Sequence, residues 1–433
     1  RGYAAIFILF IVMESFPLKS LGQIVWREWN RDSFAEAKQE DRIIIADIGM
    51  EGCTACRWQD EITYAHPDVI AMIATHFYPI QVDCQARPDI GEQYSDWSWP
   101  ATIFFHPNGE QIAAIAGNRR PSNFLTILHD LVQKKEAGKL TSDAASPYTY
   151  PLIPESAELS EMRDVVRKQL DVFYDHENGG WGRRMKNMQR SGNFEQLMVR
   201  LRVENDSNML QMLIQTLDGM LHQVDQLWGG MFVASVGNWE SIVPEKRITT
   251  QSAALTGFAY GYRLTGDVRY LQAIRNIDRY VARFLTSPNG LFYTSQEDDP
   301  PGLPDTLSAR HYYQLNTEAK RQTFGVPPVD HATYADLNAR MISAYIKVFE
   351  CTGESYFLRK ALHGMDKLVE YGQTDEGWMK QFVKADSNFF SDKRIRKIPA
   401  EPLCFLSAQV FVGKALLDLY KVTQDHIYLD EAA

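Results

Sequence analysis

The first pattern along the chain is a β-branched run, Arg42-Ile43-Ile44-Ile45-Ala46-Asp47-Ile48-Gly49, which predicts a buried strand ended by glycine. Thr75 to Asp83 predicts a second strand, and Trp99 to Phe105 a third with Pro100 at its head. Asn108-Gly109 is a hairpin turn into a fourth strand, Gln111 to Ala116. Pro121 to Lys134 reads as an amphipathic helix carrying Phe124, Leu125, Leu128 and Leu131 on one face. The segment after Gly49 also reads as helix, so residues 24–138 take the order β, α, β, α, β, β, α.

From Glu155 the period changes from two to 3.6. Amphipathic segments recur at Glu158 to Phe173, Asn205 to Leu227, Thr249 to Leu264, Val268 to Phe284, Tyr334 to Cys351, Tyr356 to Tyr371 and Leu403 to Val422. One signature between them is a glycine-aromatic turn: Gly179-Gly180-Trp181, Gly229-Gly230-Met231-Phe232, Asn289-Gly290-Leu291-Phe292, Glu376-Gly377-Trp378. The other is a helix link, as in Leu264-Thr265-Gly266-Asp267 and Cys351-Thr352-Gly353-Glu354, where a glycine C-cap meets an acidic N-terminus. Such alternation predicts helical hairpins set side by side. Closed in a ring they make an α/α toroid whose turns converge on one end; a solenoid is the alternative closure. Residues 155–433 are assigned to this unit, and 139–154, with Pro147, Pro151 and Pro154, to a linker.

At 433 residues, 45% hydrophobic and 23% charged, the chain is long enough for two sizeable cores, which gives an α/β domain followed by an all-α one. A net charge of −10 without a Lys/Arg cluster speaks against nucleic acid as a partner. Residues 1–23 contain the apolar run Ala4 to Met13, too short to span a bilayer and suited to a signal-peptide core or a membrane-proximal tail. The expectation is an exported or periplasmic protein, with a cytoplasmic one as the alternative. Both ends read as clipped, since the chain begins at Arg1 and Asp430 to Ala433 stop inside an apparent helix.

The chemistry concentrates in Cys53-Thr54-Ala55-Cys56. Two thiols on the first turn of a helix meet unpaired N–H groups and the positive end of the helix dipole, which favour a thiolate at Cys53. Cys56 lies close enough to resolve a mixed disulfide. A zinc half-site is the alternative, but no second C-x-x-C or C-x-x-H completes it, so no metal and no cofactor is expected. A proline heading a later strand, here Pro100, lets a substrate chain lie beside the thiols when its bond is cis. Strand, turn, C-x-x-C and strand-heading proline together are a thioredoxin-like layout. Arg57 would lower the Cys53 pKa and Glu51 and Asp60 oppose it. Five cysteines are no disulfide framework: Cys84 is expected as a buried thiol or a third redox partner, and Cys351 and Cys404 as inert core residues.

In the helical unit, glycoside hydrolysis needs two carboxylates flanking a bond, and epimerisation an acid/base pair across a sugar carbon. Turn positions offer Asp175, His176, Glu177, Glu245, Glu297, Asp298, Asp299, Asp330 and His331, with Trp181, Trp228 and Trp239 to stack on sugar faces. Carboxylates in such turns are commonly turn formers. Asp330-His331 stands out, beside Pro327-Pro328 and directly before a helix.

These motifs resemble the DUF255-type thioredoxin domain-containing proteins, the spermatogenesis-associated protein 20-like family. The resemblance is carried by Phe34-Ala35-Glu36-Ala37-Lys38, Cys53 to Cys56, Val82-Asp83 with Arg87-Pro88-Asp89-Ile90, Trp99-Pro100, Gly179-Gly180-Trp181-Gly182, Gly229-Gly230-Met231-Phe232, and Asp330 with Asn338. It implies a thioredoxin-like domain joined to a six-hairpin glycosidase-like toroid. The chain departs from it at Thr54, Ala55 and Arg57, where the family has histidines, at Pro244-Glu245-Lys246-Arg247, which lacks a His-Phe pair, and at Asp330-His331-Ala332 in place of Asp-Asp-Lys. The leading expectation is a thiol-disulfide oxidoreductase or thiol-dependent binding protein acting on protein thiols or disulfides, with carbohydrate as a second ligand. A carbohydrate-active enzyme and a non-catalytic scaffold are the alternatives. A large pocket with clustered carboxylates at the toroid mouth favours the enzyme; a filled mouth with an exposed Cys53 favours redox or scaffold.

Overall fold

A computed structural model describes residues 22–142, 158–182, 185–187, 192–204, 206–383, 396–399, 401 and 403–433. The N-terminal apolar run and most of the expected linker lie outside the described residues. Among the described residues no helix is long and apolar enough to cross a membrane.

The N-terminal unit runs α1 (Arg31–Gln39), β1 (Ile43–Gly49), α2 (Thr54–Trp58), α3 (Pro67–His76), β2 (Phe77–Asp83), α4 (Pro88–Gln93), β3 (Ala101–Phe105), β4 (Gln111–Ala116) and α5 (Pro121–Glu136). Its four strands lie in the order β2-β1-β3-β4, with β1 parallel to β2 and antiparallel to β3. Every residue of β1 is buried, and alternation sends Ile43 and Ile45 to the face covered by Phe124, Leu128 and Leu131 of α5. Ile44, Ala46 and Ile48 point to the opposite face, where Cys53 and Cys56 pack with them. The second strand begins at Phe77 rather than Thr75, because a helix opened by Pro67 at its first turn runs through His76.

The helical unit contains α6 (Leu159–Phe173), β5 (Met185–Asn187), α7 (Gly192–Val199), α8 (Ser207–Leu221), β6 (Ala234–Val236), β7 (Ser241–Val243), β8 (Lys246–Arg247), α9 (Ile248–Thr265), α10 (Val268–Phe284), β9 (Ser295–Gln296), α11 (Ala309–Gln314), α12 (Glu318–Gln322), β10 (Val329–Asp330), α13 (Ala335–Thr352), α14 (Ser355–Gly372), α15 (Leu406–Thr423) and α16 (Ile427–Glu431). It is of the α/α-toroid type. Helices α9, α13 and α15 pack side by side as an inner layer, and α10 and α14 lie outside them. The layering follows from composition: α9 is buried from Thr250 to Gly261 almost all round, whereas α10 buries one stripe of Tyr270, Ala273, Ile274, Ile277 and Val281. The link between them is capped as expected, with Gly266 at φ +72° and Asp267 accepting from the Arg269 amide at 2.9 Å.

The helix expected to run to Leu227 stops at Leu221, because the next residues form a turn. There the Gly229 amide donates to the Asp225 carbonyl and the Asp225 amide to the Gly230 carbonyl, both at 2.9 Å. Gly229 and Gly230 hold φ of +78° and +77°, and a Cβ on Gly229 would meet the Asn276 carbonyl at 2.0 Å, so only glycine fits. The same turn is built at Asp175, Gly179 and Gly180.

Candidate functional site

Cys53 is the N-cap of α2, its Sγ accepting the Cys56 amide at 3.2 Å, and the two cysteines form a disulfide with their Cα atoms 5.2 Å apart. The Trp99–Pro100 bond is cis. Register puts Ala101 opposite Ile48, so Pro100 sits at the same end of the sheet as the C-x-x-C loop. Cys56 is fully buried and Cys53 only 3% exposed.

The helical unit covers the thiols. The Thr54 amide donates to Glu245 Oε1 at 2.9 Å, and Arg247 pairs with the other oxygen of that carboxylate. Arg57, one residue past Cys56, pairs with Glu297, Asp298 and Asp299, the Asp298 contact being 3.0 Å. Burial alone would lower the Arg57 pKa; the carboxylates, led by Asp299, outweigh it and hold the guanidinium charged. Burial raises Glu297 to about 7 against the pull of Arg57, with Asp298 and Asp299 adding to the rise. Burial and neighbouring Asp299 raise Asp298 to about 6. Gly52 lies so close to β9 that a Cβ there would stand 2.7 Å from Ser295 Cβ.

A third contact comes from the stretch before α15. Arg396 is buried, donating to Asp47 Oδ2 and Asp60 Oδ2 at 2.6 Å each, and its amide donates to Glu51 Oε1 at 2.8 Å. Burial lifts Asp60 to about 7 although Arg396 opposes the rise.

Residues 18–137 match the family model Thioredox_DsbH, described as "Protein of unknown function, DUF255". The N-terminal unit is therefore similar to the DUF255 family. It is 23% identical to human spermatogenesis-associated protein 20 over 335 residues, covering 70% of this chain and 42% of that protein. It is 24% identical to an uncharacterized protein of Caenorhabditis elegans over 352 residues, covering 73% of this chain and 47% of that one. The chain thus spans less than half the length of these relatives. Among solved structures, cellobiose 2-epimerase from Bacillus thermoamylovorans is similar at 12% identity and TM-score 0.46, over 63% of this chain and 69% of that one.

The other residues singled out by sequence are dispersed around the DUF255 domain and its partner. Glu245 is at the interface, directly before β8, which shares a three-stranded sheet with β9 and with β10, where Asp330 lies. The Asp330 Oδ1 accepts the Ala332 amide at 3.1 Å, and His331 packs on the Tyr293 ring at 4.5 Å between centroids. Asp175 is elsewhere: it accepts the Glu177 and Asn178 amides and pairs with the buried Lys186, so it builds its turn. His176 and Glu177 belong to that turn. Trp181, Trp228 and Trp239 are core residues, at most 8% exposed, with no face open to a sugar. Cys84 is a buried free thiol whose pKa burial pushes up. Cys404, expected in the core, is exposed on the approach to α15, and Cys351 is half-buried.

The helical unit holds a cavity of about 1000 Å³ lined by α7, α9, α13 and α15, among them Glu195, Tyr260, Arg263, Lys347 and Glu350. Tyr260, Arg263, Lys347 and Glu350 lie late in their helices, whereas the DUF255 domain meets residues just before α9. None of Asp175, Trp181, Glu245, Asp330 or His331 lines the cavity. Cys53, where the two units meet, is buried rather than exposed.

Sequence reasoning did not reach Arg396, Ser295 or Gly52 as site residues. Asp47 carried a visible signal, a carboxylate inside a run of isoleucines where the pattern wants an apolar side chain.

Proposed function

We propose that the chain is a thiol–disulfide exchange protein whose dithiol is capped by its own helical domain, acting on protein thiols or disulfides in an oxidising compartment. The observation that supports this reading is the Cys53–Cys56 disulfide at the N-cap of α2. In the exchange, a partner thiolate attacks Cys53 Sγ, the Cys53–Cys56 bond breaks, and Cys56 leaves with the electron pair as a thiolate. A second partner thiol displaces Cys53, so the partner is oxidised and the protein dithiol reduced; the reverse sequence oxidises the dithiol. With Cys53 only 3% exposed, exchange requires α2 to part from Glu245 and the Glu297–Asp299 stretch.

The test uses the full chain. In Cys56→Ser the Cys53 thiolate should attack a disulfide-containing peptide, one peptide sulfur leaving as a thiolate, and the mixed disulfide should accumulate, whereas Cys53→Ser should lose both this adduct and insulin reduction. Equal activity of wild type and Cys53→Ser in both assays would end the reading.

A further inference from the structure

Arg396 stands 343 residues beyond Cys53 in sequence, yet its side chain is 1% exposed inside the DUF255 domain. A Cβ on Gly49 would lie 2.9 Å from Arg396 Nε and 3.0 Å from Cys56 Sγ, so the guanidinium and the sulfur flank the same glycine. Around them stand three carboxylates. Asp47 in β1 is bonded also by Gln81 Nε2 at 3.1 Å and by the Tyr64 hydroxyl at 3.4 Å; Asp60 is in the turn that continues α2, and Glu51 is in the loop before it. Among the described residues, Arg396 pairs with both aspartates.

Reduction of the disulfide places negative charge on Cys56 as it leaves. Two buried carboxylates paired with Arg396 disfavour that charge, and the guanidinium, which flanks the same glycine as Cys56 Sγ, offsets them in a site where all three side chains are buried. We propose that Arg396 is a positioning residue of the dithiol: delivered by the helical domain, it offsets the Asp47–Asp60 charge beneath Cys56 and thereby sets how readily Cys53–Cys56 is reduced. The inference rests on the exchange reading. It also makes the helical domain part of the redox unit, because any group that shifts the potential when docked is in turn held differently by the reduced and oxidised forms.

The experiment is a redox titration of the full chain against dithiothreitol. A reductant thiolate attacks Cys53 Sγ, the electron pair of the broken bond leaves on Cys56, and the second reductant thiol displaces Cys53 while the reductant closes its own disulfide. Arg396→Gln should lower the equilibrium constant for reduction about tenfold, a potential about 30 mV more negative for a two-electron couple. Arg396→Lys should stay near wild type. Arg396→Gln combined with Asp60→Asn, which removes a carboxylate together with the cation, should return toward it. If Arg396→Gln does not melt cooperatively, the double variant is compared with Asp60→Asn alone, and the double variant should again be the harder to reduce. A folded Arg396→Gln, or in that event the double variant against its parent, with an unchanged constant overturns the inference and leaves the exchange reading intact. A wild-type disulfide that never exchanges with dithiothreitol overturns both.

Discussion

The Thr54 amide donates to Glu245 Oε1 at 2.9 Å across 191 residues of sequence. Thr54 lies between the two cysteines and Glu245 directly before β8 and α9, so this bond closes the end of the helical layer with the C-x-x-C itself. A carboxylate offered as a sugar-directed acid by sequence is used to hold the C-x-x-C loop.

Gly52→Ala should pry the domains apart locally. The new Cβ would stand 1.9 Å from Ser295 Oγ and 2.7 Å from Ser295 Cβ, and Gly52 has no left-handed backbone to complicate the change. After reduction, alkylation of Cys53 by iodoacetamide should quicken by about tenfold as the opening equilibrium shifts. Adding Ser295→Gly should return the rate toward wild type; an unchanged rate in Gly52→Ala would show that this contact does not guard the thiols.

Arg57→Met removes the cation shared by Glu297, Asp298 and Asp299, leaving three adjacent carboxylates without it. The group is partly exposed, so the loss should be about 1–3 kcal/mol rather than that of a fully buried pair. Urea unfolding should show it. Glu297→Gln in the same chain should recover part of the loss, since one of the repelling charges is gone.

Stability should fall as pH rises from about 5.5 to 8. Burial raises Glu297 and Asp60 to about 7 and Asp298 to about 6, all above their ordinary values near 4. The folded chain therefore binds more protons than the unfolded one between about 4 and 7, and that contribution, complete below the window, is lost through it. Above pH 8 a second effect enters: burial lowers Lys246 to about 8, partly offset by Asp225, so the unfolded chain binds more protons there and stability recovers. Calorimetric melting across this range should give a higher Tm at pH 5.5 than at pH 8, with a flatter profile in Glu297→Gln; a Tm that climbs from 5.5 to 8 contradicts the assignment.

Asp225→Asn should be among the costliest single changes. Asp225 accepts from Lys246 at 2.8 Å and from Arg321 at 2.7 and 2.9 Å, all three side chains being buried. Burial alone would raise this carboxyl, but the two cations hold it down at about 2. Losing its charge strands both cations in the core, a loss of about 3–5 kcal/mol readable as a shift in the urea midpoint.

Much of the fold was legible because its signals are local. The isoleucine run, the Asn108-Gly109 turn and the glycine-capped helix links each act within a few residues, and all sit where the pattern places them. The helix ends were less legible: Asn205 to Leu227 reads as one amphipathic stretch, yet the Asp225 turn claims its last residues through an ion pair with Arg321, distant in sequence. Of the candidate site, the thiols and Glu245 were visible as residue types. Their meeting was not.

The sequence by itself determined a dithiol at a helix start, a strand-heading proline beside it and a second domain of helical hairpins, because periodicity and turn chemistry are properties of neighbouring residues. Only the tertiary structure decided that Glu245, Ser295, Asp298 and Arg396 converge on Gly49 to Arg57. That choice depends on shape and charge matched between surfaces separated by up to 349 residues of chain, and no local pattern records which surface will face which.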